Sequence, residues 1–246
     1  MVYFFSYGDD NFRNSKERLR MEALRCGYLD VVDIYGPEHL SQDFINKTSP
    51  YIQHPRGGGY WMWKTFFIKK TFEKMKEGDY CVYVDAGCTV NPNGKERFNH
   101  YLSLLDQSES GIFRFKYGNV PVENYTNEKV FEYWGKTDDR ELRTTDILMG
   151  GVMIFKKNEY SQKFVDRYLE IAETAPYLFS DEYNNYNRRE TLVDHRHDQS
   201  VSSCLIRLEA KEAVTFQDET YAPDMDGWRH LFEVAKIPFL ATRIRS

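Results

Sequence analysis

The sequence predicts an α/β domain with a mostly parallel central sheet and helices on both faces. Residues 80–85, Tyr-Cys-Val-Tyr-Val-Asp, form an apolar run without polar alternation, which is typical of a strand buried on both faces of such a sheet. Near the N-terminus, a strand, a helix and a second strand follow one another within about 35 residues, the spacing of a βαβ unit. Ligands of parallel sheets bind beyond the carboxyl ends of the strands, and Asp85 lies at such an end.

The N-terminal βαβ unit is predicted from apolar periodicity and from the turn residues between its segments. It consists of a strand at 2–6, an amphipathic helix at 15–25 that ends at a glycine, and a strand at 30–35 closed by Gly-Pro. The turn formers at 7–11, which follow the first strand, are therefore a candidate ligand loop.

The remaining elements alternate between helical and extended patterns, as an α/β fold requires. Residues 117–143 are polar, aromatic and irregular, and the length of this stretch indicates a functional insertion. The predicted helices are 65–76, 96–105, 128–134, 158–174 and 200–208, and the predicted strands are 80–85, 110–115, 148–155 and 214–216.

Composition limits the class of protein. The chain has 246 residues, which fits one α/β domain, and its 41% apolar and 16% aromatic content is enough for a filled core. A net charge of −5 without a run of Lys and Arg disfavours a protein that follows a nucleic-acid backbone. The four cysteines lack C-x-x-C spacing, so we expect free thiols in a reducing compartment. No signal peptide or membrane span is evident, and we expect a cytoplasmic protein.

Asp85 and the small residues after it form the first candidate site. An Asp at a strand end can hold a metal ion, a ribose hydroxyl or a sugar, and Ala86-Gly87 lets a bulky ligand approach the backbone. The alternative is a turn residue that closes the strand, since Asp-x-Gly is common in turns.

The second candidate is the run Arg-Gly-Gly-Gly-Tyr-Trp-Met-Trp-Lys at 56–64. Its glycines free backbone amides for phosphate oxygens, Arg56 and Lys64 supply positive charge, and Trp61 and Trp63 supply stacking faces. The alternative is a flexible loop followed by an aromatic helix that packs on the sheet. The Walker A spacing is absent, which disfavours a P-loop ATPase.

Two further clusters contain carboxylates. His195 and His197 precede Asp198, so this group either ligates a metal or forms the N-terminus of the following helix. Asp146 precedes Gly150-Gly151, where glycines mark either close approach of a ligand or a β-bulge. Two more acidic residues, Asp224 and Asp226, are weaker metal candidates.

Taken in order along the chain, four segments resemble the GT-A fold of glycosyltransferases, which use nucleotide-sugar donors. They are the loop 6–9 (Ser-Tyr-Gly-Asp), the run 57–64, the strand end 85–87, and Gly-Gly-Val-Met-Ile-Phe at 150–155 with the later His-Asp-Gln at 197–199. The resemblance extends from Val2 to about residue 208. The chain is also similar to small sugar-transfer domains of bacterial surface-polysaccharide clusters and of large DNA viruses, and a viral origin would imply the host cytoplasm.

The resemblance implies one domain over 1–246, with a nucleotide-binding half at about 1–110 and an acceptor and sugar half at about 111–246. It further assigns residues to the donor, the metal and the transferred sugar. The implied donor contacts are Ser6, Tyr7, Gly8 and Asp9 around base and ribose, Asp85 and Ala86 near ribose and metal, and Gly150, Gly151 and Asp198 beside the sugar or acceptor; Arg56, Trp63 and Lys64 complete the predicted donor site.

One departure from the family pattern concerns the metal. The usual motif is Asp-x-Asp, whose second carboxylate holds a divalent ion, and that place is Gly87 here. Asp85 either holds Mn²⁺ or Mg²⁺ with other oxygens, or the protein works without a tightly bound metal.

The sequence therefore predicts transfer of a sugar from a UDP-, GDP- or dTDP-linked donor to a hydroxyl of a glycan acceptor. Asp198 and Asp146 are the candidate catalytic carboxylates, one of which would take the acceptor proton if the reaction inverts stereochemistry. The alternatives are a non-catalytic glycan- or nucleotide-sugar-binding module and a sugar-phosphate nucleotidyltransferase. The acidic loop at 7–10 disfavours the last of these.

Overall fold

The computed structural model describes residues 1–220 and 236–244 and contains a six-stranded central sheet. The strands, in chain order, are β1 (Val2–Tyr7), β2 (Val31–Tyr35), β3 (Tyr80–Val84), β4 (Thr89–Val90), β5 (Ile112–Pro121), β6 (Asp146–Lys156), β7 (Val214–Gln217) and β8 (Phe239–Leu240). In the central sheet their order is β2-β1-β3-β6-β5-β7. The pairs β1–β2, β1–β3 and β5–β7 are parallel, whereas β6 runs antiparallel to both of its neighbours. The predicted mostly parallel sheet is confirmed.

Helices cover both faces of the sheet. They are α1 (Arg13–Arg25), α2 (Gln42–Thr48), the single turn α3 (Gly57–Tyr60), α4 (Trp63–Lys74), α5 (Lys95–Asp106), α6 (Glu128–Tyr133), α7 (Arg140–Thr144), α8 (Glu159–Thr174) and α9 (Asp198–Glu209). Leu19 of α1 and Phe98 of α5 belong to the core on one face. Phe67 of α4, Tyr168 of α8 and Val201 of α9 belong to the core on the other face.

The apolar run of β3 is explained by this layered arrangement. Cys81 and Tyr83 point into one core, and Val82 and Val84 point into the other, because successive side chains of a strand alternate between the faces. All four side chains are fully buried. A strand in this position needs apolar residues at every place, and burial of each large side chain contributes about 1.5–3 kcal/mol.

The predicted βαβ unit is formed by β1, α1 and β2, with Tyr3 opposite Val31 and Tyr7 opposite Tyr35. Its first loop leaves the carboxyl end of β1, as predicted. Asp9 caps the short turn in that loop, since its Oδ1 accepts a hydrogen bond of 2.9 Å from the Asn11 amide.

Several boundaries differ from the sequence prediction. The helix expected at 65–76 begins at Trp63, the helix expected at 200–208 begins at Asp198, and the strand expected at 148–155 begins at Asp146. The glycines at 150 and 151 therefore lie in the middle of β6 and not at its start. The stretch expected to be irregular contains the end of β5, the predicted helix at 128–134, which is observed as α6, and the unpredicted helix α7.

A second, two-stranded sheet places the C-terminal segment beside the central sheet. β8 pairs antiparallel with β4, with Thr89 opposite Leu240. The chain after β8 then contacts the turn that follows β3, because the Ile244 amide donates to the Gly87 carbonyl over 3.0 Å. The Thr242 hydroxyl donates to the same carbonyl, also over 3.0 Å. Gly87 is thereby fixed against residues far along the chain.

The state of the cysteines and the character of the helices bear on two of the sequence predictions. The cysteines Cys26, Cys81, Cys88 and Cys204 are all buried with free thiols. Within residues 1–220 and 236–244, none of the helices has the length and apolar character needed to cross a membrane.

Candidate functional site

An open cleft of about 930 Å³ lies at the carboxyl end of β1 and β3. The loops after these strands, the turn before α4, the middle of β6, the N-terminus of α9 and the C-terminal segment form its walls. The predicted site residues that line it are Tyr7, Gly8, Asp9, Arg56, Trp63, Lys64, Asp85, Ala86, Gly150, Gly151 and Asp198. Residues separated by more than a hundred positions are thus brought to one place.

Ser6 and Asp146 do not line the cleft, and both placements correct the sequence prediction. Ser6 is fully buried within β1, an interior strand of the central sheet. Asp146 lies four residues before Gly150 along an extended strand, a separation of roughly 13 Å. Its carboxylate accepts a hydrogen bond of 3.1 Å from the Val120 amide, and its carbonyl accepts one from Arg207. Asp146 therefore holds β5 and β6 together.

Lys64 is the centre of the cleft floor. It lies in the first turn of α4 and its side chain is only 2% exposed. Its Nζ donates to Asp198 Oδ2 over 2.9 Å and to the Gly150 carbonyl over 2.9 Å, and it lies 3.5 Å from Asp85 Oδ1. A buried ammonium group is stable only with such partners, so two carboxylates are fixed around one positive charge.

Asp198 is the buried member of this cluster, with a side chain that is 5% exposed. It opens α9, where the positive end of the helix favours a carboxylate. Burial raises the pKa of Asp198, and the Lys64 ammonium opposes that rise. The Tyr168 hydroxyl donates to the Asp198 carbonyl over 3.0 Å and fixes the start of the helix.

Asp85 is the accessible member, with a side chain that is 42% exposed. Its Oδ1 accepts a hydrogen bond from the Tyr83 hydroxyl, and its amide donates to the Gly151 carbonyl over 2.8 Å. Burial, followed by the charge of Asp85, raises the pKa of Tyr83 well above its ordinary value, so this phenol keeps its proton. Asp85 is thus oriented by its neighbours while its second oxygen, Oδ2, is not used by these bonds.

The glycine pair of β6 lets both carboxylates approach the strand. A Cβ at Gly150 would lie 3.1 Å from Asp198 Oδ2, and one at Gly151 would lie 3.2 Å from Asp85 Oδ2. Both distances are shorter than ordinary van der Waals contact. The register between β5 and β6 also shifts at this place, because Arg114 pairs with Met153 whereas Lys116 pairs with Leu148, so the glycines lie in an irregular part of the ladder. The groups that approach them are carboxylates of the chain itself, and close approach of a ligand stays a prediction.

The local backbone conformation explains the three consecutive glycines before α4. Their φ angles are 61°, 58° and 97°, in the region that favours glycine. A Cβ at Gly59 would lie 2.5 Å from the Ile52 carbonyl oxygen. This tight turn carries Trp63 into the cleft, where its ring stacks on Tyr7 with 3.9 Å between centroids. Burial raises the pKa of Tyr7, so its hydroxyl stays protonated.

Arg56 lies at the rim of the cleft and is already paired. Its guanidinium forms ion pairs of 2.9 Å with Asp181 and with Asp194. A ligand phosphate would therefore compete with two carboxylates for this charge.

The two histidines before α9 are structural. His195 Nε2 lies 2.9 Å from the Leu178 carbonyl and its Nδ1 accepts from the Asn127 amide, so both nitrogens are occupied. Burial lowers the pKa of His195 to about 3, which keeps the ring neutral. His197 Nδ1 donates to the Phe179 carbonyl over 2.7 Å, and burial lowers its pKa as well. His197 lines the same cleft as Asp85, and within residues 1–220 and 236–244 neither ring belongs to a group of three potential metal ligands.

A divalent metal fits this cleft poorly. Among residues 1–220 and 236–244, no three His, Cys, Asp or Glu side chains are arranged to hold one. Asp85 Oδ1 already accepts the Tyr83 hydroxyl, and the Lys64 ammonium 3.5 Å away opposes a second cation. Asp224 and Asp226 lie outside the described residues. The Mn²⁺ or Mg²⁺ expected at Asp85 stays a prediction.

Further cleft residues were not predicted from the sequence. They include Tyr83, Tyr117, Asp194, Arg196, Asp218 and Arg243. Asp194 and Arg196 belong to the charged cluster before α9, so the sequence contains a signal that could have identified them. Nothing local marks Arg243, which reaches the cleft only because β8 pairs with β4.

Comparison with solved structures places this cleft in a known architecture. No family model matches the sequence, and no curated protein matches it. A glycosyltransferase involved in the glycosylation of the major capsid of PBCV-1 aligns over 97% of this chain and 92% of its own, with 14% identity and a TM-score of 0.51. The chain has a GT-A-like fold.

A second similar structure is the bifunctional glycosyltransferase WbbM, with 15% identity and a TM-score of 0.52 over 97% of this chain. The chain covers 45% of the WbbM chain. Both identities are low, so these structures support the fold expected from the sequence and leave the chemistry to be argued from the cleft.

Proposed function

We propose that this protein is a glycosyltransferase that moves a sugar from a nucleoside-diphosphate donor to a hydroxyl of a glycan acceptor. The observation that carries the proposal is the buried Lys64, paired with Asp198 and Asp85 on the floor of an open cleft. A charged group with a perturbed pKa in a cleft is a candidate functional group, and Asp198 is such a group here. The glycosyltransferase neighbours support the same class of reaction.

The cleft suits a nucleotide sugar in size and in the order of its groups. Its volume of about 930 Å³ is in the range of small-molecule sites. The loop Tyr7–Asp9 and Trp63, whose ring stacks on Tyr7, line one end, and this end would receive the base and ribose. Asp85 lies on the floor beside Lys64, and its second oxygen, Oδ2, would accept a ribose or sugar hydroxyl.

The floor residues would stabilise charges that develop during transfer. When the sugar leaves the diphosphate, negative charge grows on the phosphate oxygens and positive charge grows at the sugar ring. The fixed Lys64 ammonium would favour the first charge, and the Asp198 carboxylate would favour the second. Because these groups are held by hydrogen bonds before substrate enters, they need little reorganisation during the reaction.

Asp198 would also take the proton of the acceptor hydroxyl if the reaction inverts stereochemistry. Of the two carboxylates predicted for that role, Asp198 lines the cleft and Asp146 does not. Burial raises the pKa of Asp198, which suits a group that accepts a proton.

Ligand binding and donor hydrolysis test this proposal together. We expect one of UDP, GDP or dTDP to raise the melting temperature of the protein, and the matching nucleotide sugar to be hydrolysed slowly without acceptor. Asp85→Ala should abolish hydrolysis, whereas Asp138→Ala, a surface carboxylate that is 92% exposed, should not. Binding without hydrolysis would favour the non-catalytic module, and the absence of any nucleotide effect would contradict the proposal.

A further inference from the structure

The turn after β3 contacts the backbone of Arg243, a residue whose guanidinium the floor chemistry does not use. Arg243 follows β8, lines the cleft and is exposed. Its side chain forms no hydrogen bond or ion pair with the residues that the structure describes. Lys64 and Arg56, by contrast, are each bound to two carboxylates. Arg243 is therefore a cleft cation that is free to bind an anion.

The backbone of Arg243 is fixed against Gly87. A Cβ built on Gly87 would lie 3.4 Å from Arg243 Cα, and the next residue, Ile244, donates to the Gly87 carbonyl over 3.0 Å. Gly87 occupies the place where an Asp-x-Asp sequence would have its second carboxylate. The backbone of Arg243 thus lies directly beside the position that lacks the second carboxylate.

The electrostatic surroundings are consistent with a guanidinium directed over the cleft. Burial and the charge of Asp218 raise the pKa of Tyr117 to about 12, while Arg196 and Arg243 lower it. Tyr117 lines the cleft, and Asp85 acts on the same hydroxyl. The charges of Arg243 and Asp85 therefore both act on one residue of the cleft wall.

We propose that Arg243 binds the donor diphosphate in place of a divalent metal, so that the protein turns over without Mn²⁺ or Mg²⁺. Arginine matches two phosphate oxygens at once and keeps its charge at every working pH. This inference rests on the proposed function, since it needs a diphosphate leaving group.

The atoms and electrons of the transfer reaction balance without a metal ion. The bond from the sugar anomeric carbon to the diphosphate oxygen breaks with its electron pair, and a bond from that carbon to the acceptor oxygen forms. The acceptor proton passes to a carboxylate or to water. The products are the glycoside, the nucleoside diphosphate and a proton, and Arg243 keeps its own protons while it binds the diphosphate oxygens.

The first test is calorimetric titration of the full chain with UDP, GDP and dTDP, in EDTA and in Mn²⁺. We expect the preferred nucleotide to bind equally well in both buffers. Arg243→Ala should weaken its binding about tenfold or more, as loss of a charge-assisted contact does, and Arg243→Lys should recover part of the loss. Binding of the free nucleoside, which lacks phosphates, should not change.

Arg25→Ala is the matched control, because Arg25 is an exposed arginine at the far end of α1 and its removal changes the net charge equally. Thermal melting of each variant shows that it is folded. Loss of diphosphate affinity in Arg25→Ala to the same extent would mean that net charge, and not the cleft contact, is responsible.

The second test restores the carboxylate. Gly87→Asp is sterically allowed, since the new Cβ would make ordinary contacts at 3.4 Å or more. The added Asp should pair with Arg243, weaken diphosphate binding in EDTA and make binding dependent on Mn²⁺. Gly87→Ala should leave binding unchanged and serves as the steric control.

The outcomes separate this inference from the proposed function. Nucleotide binding that requires Mn²⁺ in the wild type, together with unchanged affinity of Arg243→Ala, would overturn the role of Arg243 and leave the glycosyltransferase proposal standing. No binding of any nucleoside diphosphate in either buffer would contradict the proposed function itself.

Discussion

Replacement of Lys64 by methionine tests the charge arrangement of the cleft floor most directly. Lys64→Met keeps a similar volume but removes the ammonium, and Asp198, 5% exposed, is then left as a buried carboxylate without a counter-charge. Breaking a buried pair in this way lowers the free energy of unfolding by about 3–5 kcal/mol. Asp85 is 42% exposed and solvated, so it contributes little to this loss. The folding equilibrium should fall by more than about a hundredfold at neutral pH.

The loss should depend on pH with a defined sign. Burial already raises the pKa of Asp198, and removal of Lys64 removes the opposing effect, so the folded carboxyl binds a proton more readily than the unfolded one. A group whose folded pKa is raised binds more protons in the folded state, so stability falls as pH rises from the unfolded pKa through the folded pKa. Lys64→Met should therefore be least destabilised at acidic pH, where Asp198 is neutral, and most destabilised above its folded pKa.

Urea unfolding followed by far-UV circular dichroism, at about pH 5 and about pH 8, measures both effects. Lys64→Met/Asp198→Asn should recover much of the stability, because no buried charge remains. Lys74→Met is the control on the same helix: its pair with Asp33 is 42% and 28% exposed and should cost at most about 1 kcal/mol. Equal losses in Lys64→Met and Lys74→Met, independent of pH, would refute the reasoning.

Four further predictions concern activity. Asp85→Asn should abolish turnover with little change in melting temperature, because the side chain is accessible and its backbone bond to Gly151 remains; a folded, active variant would contradict its role. Gly151→Ala should lower kcat, since the new Cβ would lie 3.2 Å from Asp85 Oδ2 and must displace it, while far-UV circular dichroism stays unchanged. Asp146→Asn should keep near-wild-type kcat, because the amide oxygen still accepts the hydrogen bond from the Val120 amide. A large loss of kcat without loss of stability would instead indicate that Asp146 is a catalytic residue. Arg56→Ala should weaken diphosphate binding only a few-fold, since two carboxylates already share its charge, and calorimetry would detect a larger effect.

The fold was predictable to the extent that it depends on local pattern. The unbroken apolar run of β3 reflects burial on both faces, and the glycine that ends α1 and the Gly-Pro after β2 mark real boundaries. The sequence also placed Asp85 at the cleft, because the end of a buried strand is recognisable from its neighbours alone. The extent of β6 was missed, since a glycine pair looks like a strand boundary unless the groups that approach it are known.

Local sequence patterns do not reveal which charged residues of the site pair with each other. Lys64 was predicted to meet a diphosphate, and the sequence offers no sign that Asp198, 134 residues later, is its bound partner. Asp146 is a candidate catalytic residue from sequence alone, because a loop carboxylate near glycines resembles a catalytic one. Its actual bond to the Val120 amide depends on the register of β5 against β6, which only the folded chain defines.

The stacking of Trp63 on Tyr7 gives the cleft an intrinsic optical reporter. Trp61 lines the same cavity, so two indole rings border the space where a nucleotide base would enter. Trp63 is covered by Tyr7, so a stacked base should quench mainly the emission of the partly exposed Trp61 on excitation near 295 nm (roughly the wavelength selective for indole over phenol). Occupancy of the unlabelled protein can therefore be followed in real time by fluorescence, before any substrate is identified.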